Sequence, residues 1–304
     1  MSKRGWVLFA ALAVIWGLPY FFIRIAVRDL EPATLVFLRT GLASVILLPF
    51  AVRRRQLGAL IDHWPAVLAY TLSEITVPWF LLATAEEKLT SSLAGLLVAT
   101  VPIFGAVIAW ALGHEHLGVR RVSGLFLGFA GVVVLAGIGV KGSNLVSMGE
   151  IVLCAVGYAV APMIVSRRLA RAPSFEVVTA SMVVTALVYL PFGLTHLPSK
   201  FHAETAESVA TLSVACTVLA FMLFFALIRE IGPTRATVVT YVNPAVALLL
   251  GVVALGEPFT LGIAVGFPVI IAGSILATWS KAPPIRSAGA LGSPEPALGG
   301  NPAP

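Results

Sequence analysis

An all-α polytopic membrane protein, with ten transmembrane helices arranged as two inverted five-helix repeats, is the fold class the sequence predicts. Three observations carry it. Hydrophobic residues make up 59% of the 304 positions and charged ones 11%, against about 25% charged in a soluble domain, and mean hydropathy is +0.98. Apolar stretches about 20 residues long, enough to cross a bilayer, recur at regular intervals. The chain also matches itself at an offset of 142 residues: Pro102 falls on Pro244, Glu115 on Glu257, Gly124 on Gly266, and Ala130-Gly131 on Ala272-Gly273. Pro49-Phe50 falls on Pro191-Phe192 and Trp16 on Tyr158 without a gap. Five spans per copy is an odd number, so the second copy enters the bilayer upside down, as in carriers that work by alternating access.

The spans follow in order. Trp6–Val27 comes first; it is too long for a cleaved leader, and no small-residue cleavage site follows it. Ala33–Val52, Trp64–Thr84, Thr90–Leu112 and Arg121–Val140 complete a first repeat over 1–140. Gly149–Leu169, Phe175–His196, Ser208–Arg229, Thr234–Leu255 and Leu261–Ser280 make a second over 141–281. Short connections favour antiparallel neighbours in one bundle. Residues 282–304, rich in Pro, Gly, Ala and Ser, lack the apolar content to fold and are expected to be a disordered cytoplasmic tail.

Topology follows from Lys and Arg at the span ends. With the N-terminus inside, the cytoplasmic side collects Lys3, Arg4, Arg53, Arg54, Arg55, Arg120, Arg121, Arg167, Arg168, Arg171, Arg229, Arg235, Lys281 and Arg286. The opposite side receives only Arg28, Lys88, Lys141 and Lys200. Both termini are therefore expected in the cytoplasm, with the chain in the inner or plasma membrane. The same spread of charge accounts for the pI of 9.7 without nucleic acid. Cys154 and Cys216 fall inside spans and read as small packing residues.

Candidate chemistry sits inside the spans. Glu74 lies ten residues into the third, about 15 Å deep at 1.5 Å per residue, and is the only acid that far from an interface on these boundaries. An intramembrane acid should face the bundle interior or a water-filled cavity, and burial favours its protonated form unless a cation sits close. Arg39, six residues into the second span, is the natural partner. Two readings stand: a buried Glu74–Arg39 ion pair that fixes helix packing, or a carboxylate that exchanges a proton or meets a substrate ammonium during transport. Arg24, at the outer end of the first span, reads as snorkelling to the interface.

Pro102 and Pro244 fall near the middle of the fourth and ninth spans at equivalent places. A proline frees a carbonyl and bends its helix, and matched interruptions in two repeats point to a transporter's substrate site. Thr100, Tyr241 and Asn243 flank these bends, and Trp16, Tyr20 and Tyr158 lie away from the interfacial belts where Trp and Tyr gather. Together with Glu74 these residues are expected to line a central cavity, with helix packing as the alternative for each aromatic. Gly124, Gly128 and Gly131, with Gly262, Gly266 and Gly273, have helix-contact spacing and suggest paired packing helices or a dimer face. His114-Glu115-His116 lacks the further ligands a zinc site needs; what repeats is the acid, Glu115 and Glu257, as a helix cap or a gate latch. No metal or cofactor is expected.

These residues resemble a known family. Leu89-Thr90-Ser91-Ser92 through Pro102 to Glu115, then Gly124 and Gly131, is similar to an EamA domain of the drug/metabolite transporter superfamily. Gly232-Pro233-Thr234 through Tyr241-Val242-Asn243-Pro244 to Gly256-Glu257, then Gly266 and Gly273, is similar again. Trp16-Gly17 with Arg24 resembles the first-helix signature, although Lys is more usual than Arg there, and Arg39 the second-helix one. The position of Asn243 more usually carries an acid, and Glu74 is outside the general motif. The resemblance implies ten helices in inverted repeats, a central cavity and proton-linked export of amino acids or related small metabolites. Its partners would be the substrate, protons, the lipid bilayer and a possible homodimer mate. The rival class, an integral-membrane enzyme on a lipid-linked substrate, needs clustered polar residues at one interface, which these short loops do not supply.

Overall fold

The computed structural model describes residues 2–113, 118–139, 144–200, 202–232 and 236–278. Glu115 with His114 and His116, and the tail 282–304, lie outside the described residues. The described chain is helical, without strands. Helix α1 runs Lys3–Ala26, with Ser2 accepting from the Gly5 amide at 2.9 Å, and α2 runs Pro32–Arg54, opening on a proline whose missing N–H costs nothing there. The third span is composite: α3 (Trp64–Thr71), a π turn (Leu72–Thr76) and α4 (Val77–Glu86). Helices α5 (Ser91–Val98) and α6 (Val101–Ala111) form the fourth, broken between them, and α7 (Val119–Gly139) the fifth.

The second half repeats the plan. Helix α8 spans Leu145–Arg168 and α9 Ser174–Thr195. Then come α10 (Ala203–Ser213), a π turn (Val214–Leu219) and α11 (Ala220–Ile231). A 3₁₀ segment (Thr237–Tyr241) leads into α12 (Asn243–Leu255), and α13 (Leu261–Thr278) ends the described chain. Ser91 opens α5 behind Thr90, whose hydroxyl accepts from the Leu93 amide at 3.2 Å.

Seven helices among the described residues are long and apolar enough to cross a membrane, against the ten spans expected. Two more, Val239–Leu255 and Leu261–Ala277, are apolar but shorter. The ninth span adjoins residues 233–235, which lie outside the described residues.

The interruptions obey the sequence offset. Leu72–Thr76 and Val214–Leu219 begin 142 residues apart, and so do α6 at Val101 and α12 at Asn243. Packing follows it as well. Helix α1 lies against α10 and α11, and α8 lies against α3 and α4, while α2 pairs with α9, α5 with α12 and α7 with α13. Apart from the α5–α12 pair, exchanging the halves maps this set of neighbours onto itself.

Glycine explains the closest pair. A Cβ on Gly131 would sit 2.8 Å from the Ile270 amide nitrogen, and one on Gly273 would run into the Gly128 backbone. The two glycine faces therefore meet each other inside one chain and are not left over for a second subunit.

The polar seam between α9 and the third span was not foreseen. Thr71 donates to Ser181 at 2.7 Å, Thr76 and Thr185 share a bond of 2.8 Å, and Tyr189 donates to the Thr76 carbonyl at 2.9 Å. These side chains take up backbone and hydroxyl groups at the π turn that lipid could not satisfy.

Candidate functional site

The first π turn places Glu74. Pro78 has no N–H to offer the carbonyl four residues back, which is that of Glu74, and the chain takes the wider turn just before it. Glu74 lies deep in the bundle with part of its surface accessible, and among the described residues no hydrogen bond or ion pair engages its carboxylate. Tyr70, Cys154 and Tyr158 are within its electrostatic reach.

Arg39 does not pair with it. The guanidinium lies 3.6 Å over the ring of Trp79, and Nε donates to Thr217 Oγ1 at 3.2 Å in the second π turn. Thr217 in turn donates five residues back to Leu212 at 2.8 Å. No ion pair within 4.0 Å joins Arg39 to Glu74 among the described residues, which goes against the ion-pair reading of the two. The reason is geometric: the cation is captured by the face of Trp79 and the hydroxyl of Thr217, and a cation over a ring is favourable. Tyr158 is within electrostatic reach of both Arg39 and Glu74 and of Tyr20. Tyr20 itself packs in the core beside Gly95. The structure thus brings Tyr20, Glu74 and Tyr158 into one neighbourhood with Arg39.

The other expected lining residues fall elsewhere. Trp16 sits 4.9 Å from the ring of Phe224 and 6.2 Å from that of Phe221, on α11. Thr100 is buried and donates back to the Leu97 carbonyl at 2.6 Å, and Ser274 donates to the Ala99 carbonyl at 2.9 Å. The Leu97 and Ala99 carbonyls beside the Pro102 break are therefore satisfied inside the protein, and Thr100 braces the break. Asn243, with its amide oriented to suit its surroundings, donates to Val239 O at 3.0 Å and to Ala13 O at 3.3 Å, tying the second break to α1. Tyr241 ends the 3₁₀ segment. Close approach there is required: a Cβ on Gly17 would meet the Asn243 carbonyl at 3.0 Å.

The end of the bundle opposite the N-terminus is tied across the halves. Glu257 accepts from the Ser91 amide at 2.7 Å, the Ser92 amide at 2.9 Å and the Ser92 hydroxyl at 2.5 Å. The helix it caps is α5, in the other half of the chain, and not the helix that follows it. Gly256, at φ 66°, turns the chain so that Glu257 can reach. Beside this contact a cavity of about 100 Å³ is lined by Lys88, Thr90, Leu135, Asn144, Pro258 and Ile263, among others. At the same end Asp29 accepts from Thr205 Oγ1 at 2.6 Å and from the His202 amide at 2.9 Å, capping α10.

A further acid was missed. Ending the third span at Thr84 leaves Glu86 in a loop, yet α4 runs on to include it and buries it completely. Glu74 is thus not the only buried acid. Glu176 is also buried, in the first turn of α9, where the helix terminus favours negative charge. Helix length was the missing signal, since two more residues turn Glu86 from a loop position into a buried one.

Comparison with known proteins agrees with this architecture. The model of the EamA-like transporter family matches residues 3–137 and again 148–279. The chain belongs to that family. It is 26% identical to an uncharacterized transporter of Archaeoglobus fulgidus, over 91% of this chain and 98% of that one. It is 26% identical to the uncharacterized transporter YvbV of Bacillus subtilis, over 97% and 98%. With the uncharacterized inner membrane transporter YedA of Escherichia coli it shares 28%, over 89% of each. A solved crystal structure shares the fold at a TM-score of 0.64 and 21% identity, covering 91% of this chain and 97% of that chain.

Proposed function

We propose that this membrane protein is a proton-linked secondary transporter that exports amino acids or related zwitterionic metabolites by alternating access across the inner membrane. One observation carries the reading: both halves interrupt their helices at the same two places, 142 residues apart. Matched interruptions at mid-membrane are where secondary transporters hold their cargo. π turns likewise cluster at functional positions. The packing that maps onto itself supports two copies of one unit, and the odd number of spans per copy would invert the second. The excess of Lys and Arg at the N-terminal end would put both termini in the cytoplasm.

The charges suggest the cargo. Glu74 and Arg39 stand in one neighbourhood without neutralising each other. A substrate carrying both an ammonium and a carboxylate would satisfy the two at once, with Tyr20 and Tyr158 in the same neighbourhood. Leaving either charge without a partner inside the bilayer is costly, so selection against molecules with only one of the groups would follow.

The test is transport by the full chain in liposomes with a pH-sensitive dye inside, against a panel of amino acids, nucleobases and simple amines. Amino acids should move protons and the other classes should not. Glu74→Gln should abolish that coupled movement at every pH. Proton movement driven by nucleobases or amines, or unchanged flux and pH dependence in Glu74→Gln, would overturn the assignment.

A further inference from the structure

Glu86 is the last residue of α4 and has no accessible surface, and neither carboxylate oxygen has a hydrogen-bond partner among the described residues. A helix C-terminus carries the negative end of the dipole and is the wrong place for an anion. The nearest cation does not answer it. Arg24 on α1 donates to the main-chain carbonyl of Glu86 and, at 3.1 Å, to that of Glu87, and makes no ion pair with the Glu86 carboxylate. The carboxylate within electrostatic reach is that of Glu257, held by three donors at the start of α5. Cys154 on α8 and Tyr20 on α1 are within electrostatic reach of Glu86 as well, and Glu31, Lys88 and Glu150 are within that of Glu87.

We infer that Glu86 is a proton-binding site that controls a gate at this end of the bundle, the gate being the bond between Glu257 and the N-terminus of α5. This rests on the transporter reading and adds to it a residue that is part of neither the Glu74 neighbourhood nor the helix breaks. With a proton on Glu86, an uncharged acid sits beside the Glu257 anion and the latch holds. When that proton leaves to water, Glu86 becomes a second anion within electrostatic reach of Glu257, and the bond to Ser91 and Ser92 gives way. Opening then hydrates Glu86, and closure requires that it be protonated again. Gly251 keeps the latch seated, because a Cβ there would run into Ser92 Oγ and the Glu257 carboxylate. Ser91 Oγ, buried beside the same contact, lacks a partner while the latch is closed.

The experiment needs no substrate. In Cys216→Ser protein, Cys154 is the sole thiol and lies fully buried within electrostatic reach of Glu86. Its labelling by a membrane-impermeant maleimide is followed from the side opposite the termini as pH rises, always as the ratio to the same protein carrying Glu86→Gln, which cancels the thiol's own titration. The ratio should climb severalfold with pH, and Glu86→Asp should restore the climb. Glu257→Gln should label fast at every pH. Infrared spectra should show a protonated-acid carbonyl band that Glu86→Gln removes. A flat ratio, or spectra of the two proteins that coincide, would overturn the proposal. Failure of the liposome screen with a climbing ratio would count against the substrate reading alone.

Discussion

Single residues at the ends of this bundle do work that their neighbours in sequence do not reveal. Asp29 is joined to a helix 173 residues away through the His202 amide. The hydrogen bond from Thr205, then those from the His202 amide and side chain, hold its carboxyl at about 2, below the ordinary 3.8. A lowered value means stability that is present above pH ~4 and is lost as pH falls through about 2. Asp29→Asn should therefore lower thermal stability in detergent at neutral pH and leave it nearly unchanged near pH 2, so that the acid limb of the profile flattens; a neutral stability equal to that of the wild type would refute the link. Glu74 was legible in the sequence because an acid ten residues into a hydrophobic span has few explanations. Its partner was not legible. Arg39 was assigned to it by depth, but depth says nothing of direction around the helix axis, and the guanidinium lies over the ring of Trp79 instead.

Elements show the opposite balance. Helices among the described residues fall within a few residues of the expected spans because hydrophobic length fixes them, although seven rather than ten are long and apolar enough to cross a membrane; the breaks near Pro102 and Pro244 follow because proline cannot continue a helix. The π turns were invisible: only Pro78 hints at the first, and in the second Thr217 supports the wider turn by bonding five residues back. The spacing of glycines on α7 and α13 announced a close contact without naming the partner. Since each face is filled by the other, Gly273→Ala should cost about 1–3 kcal/mol, the usual penalty of overpacking. A lowered melting temperature in detergent checks this, and no change would mean that the two helices part easily.

At the scale of the whole molecule, the two halves contact each other at every level. Each helix of one has its main neighbour in the other, so neither half should persist alone. Transport by alternating access requires these contacts to exist in two arrangements. If the second unit is inverted, impermeant reagents applied from the cytoplasmic side should reach cysteines placed at position 2 and near position 290 equally. Modification of the two from opposite sides would exclude an even number of spans.

The sequence by itself determined the class of protein, the offset of 142, the spans and the sites of interruption, since each follows from local rules: the length of an apolar run, the chemistry of proline, the recurrence of a motif. Only the tertiary structure decided which charges meet. It separated Arg39 from Glu74, buried Glu86 and carried Glu257 to a helix more than 160 residues away. Contacts between side chains depend on how helices are rotated and tilted against one another. That is settled by the packing of all of them together, which no single stretch of sequence encodes.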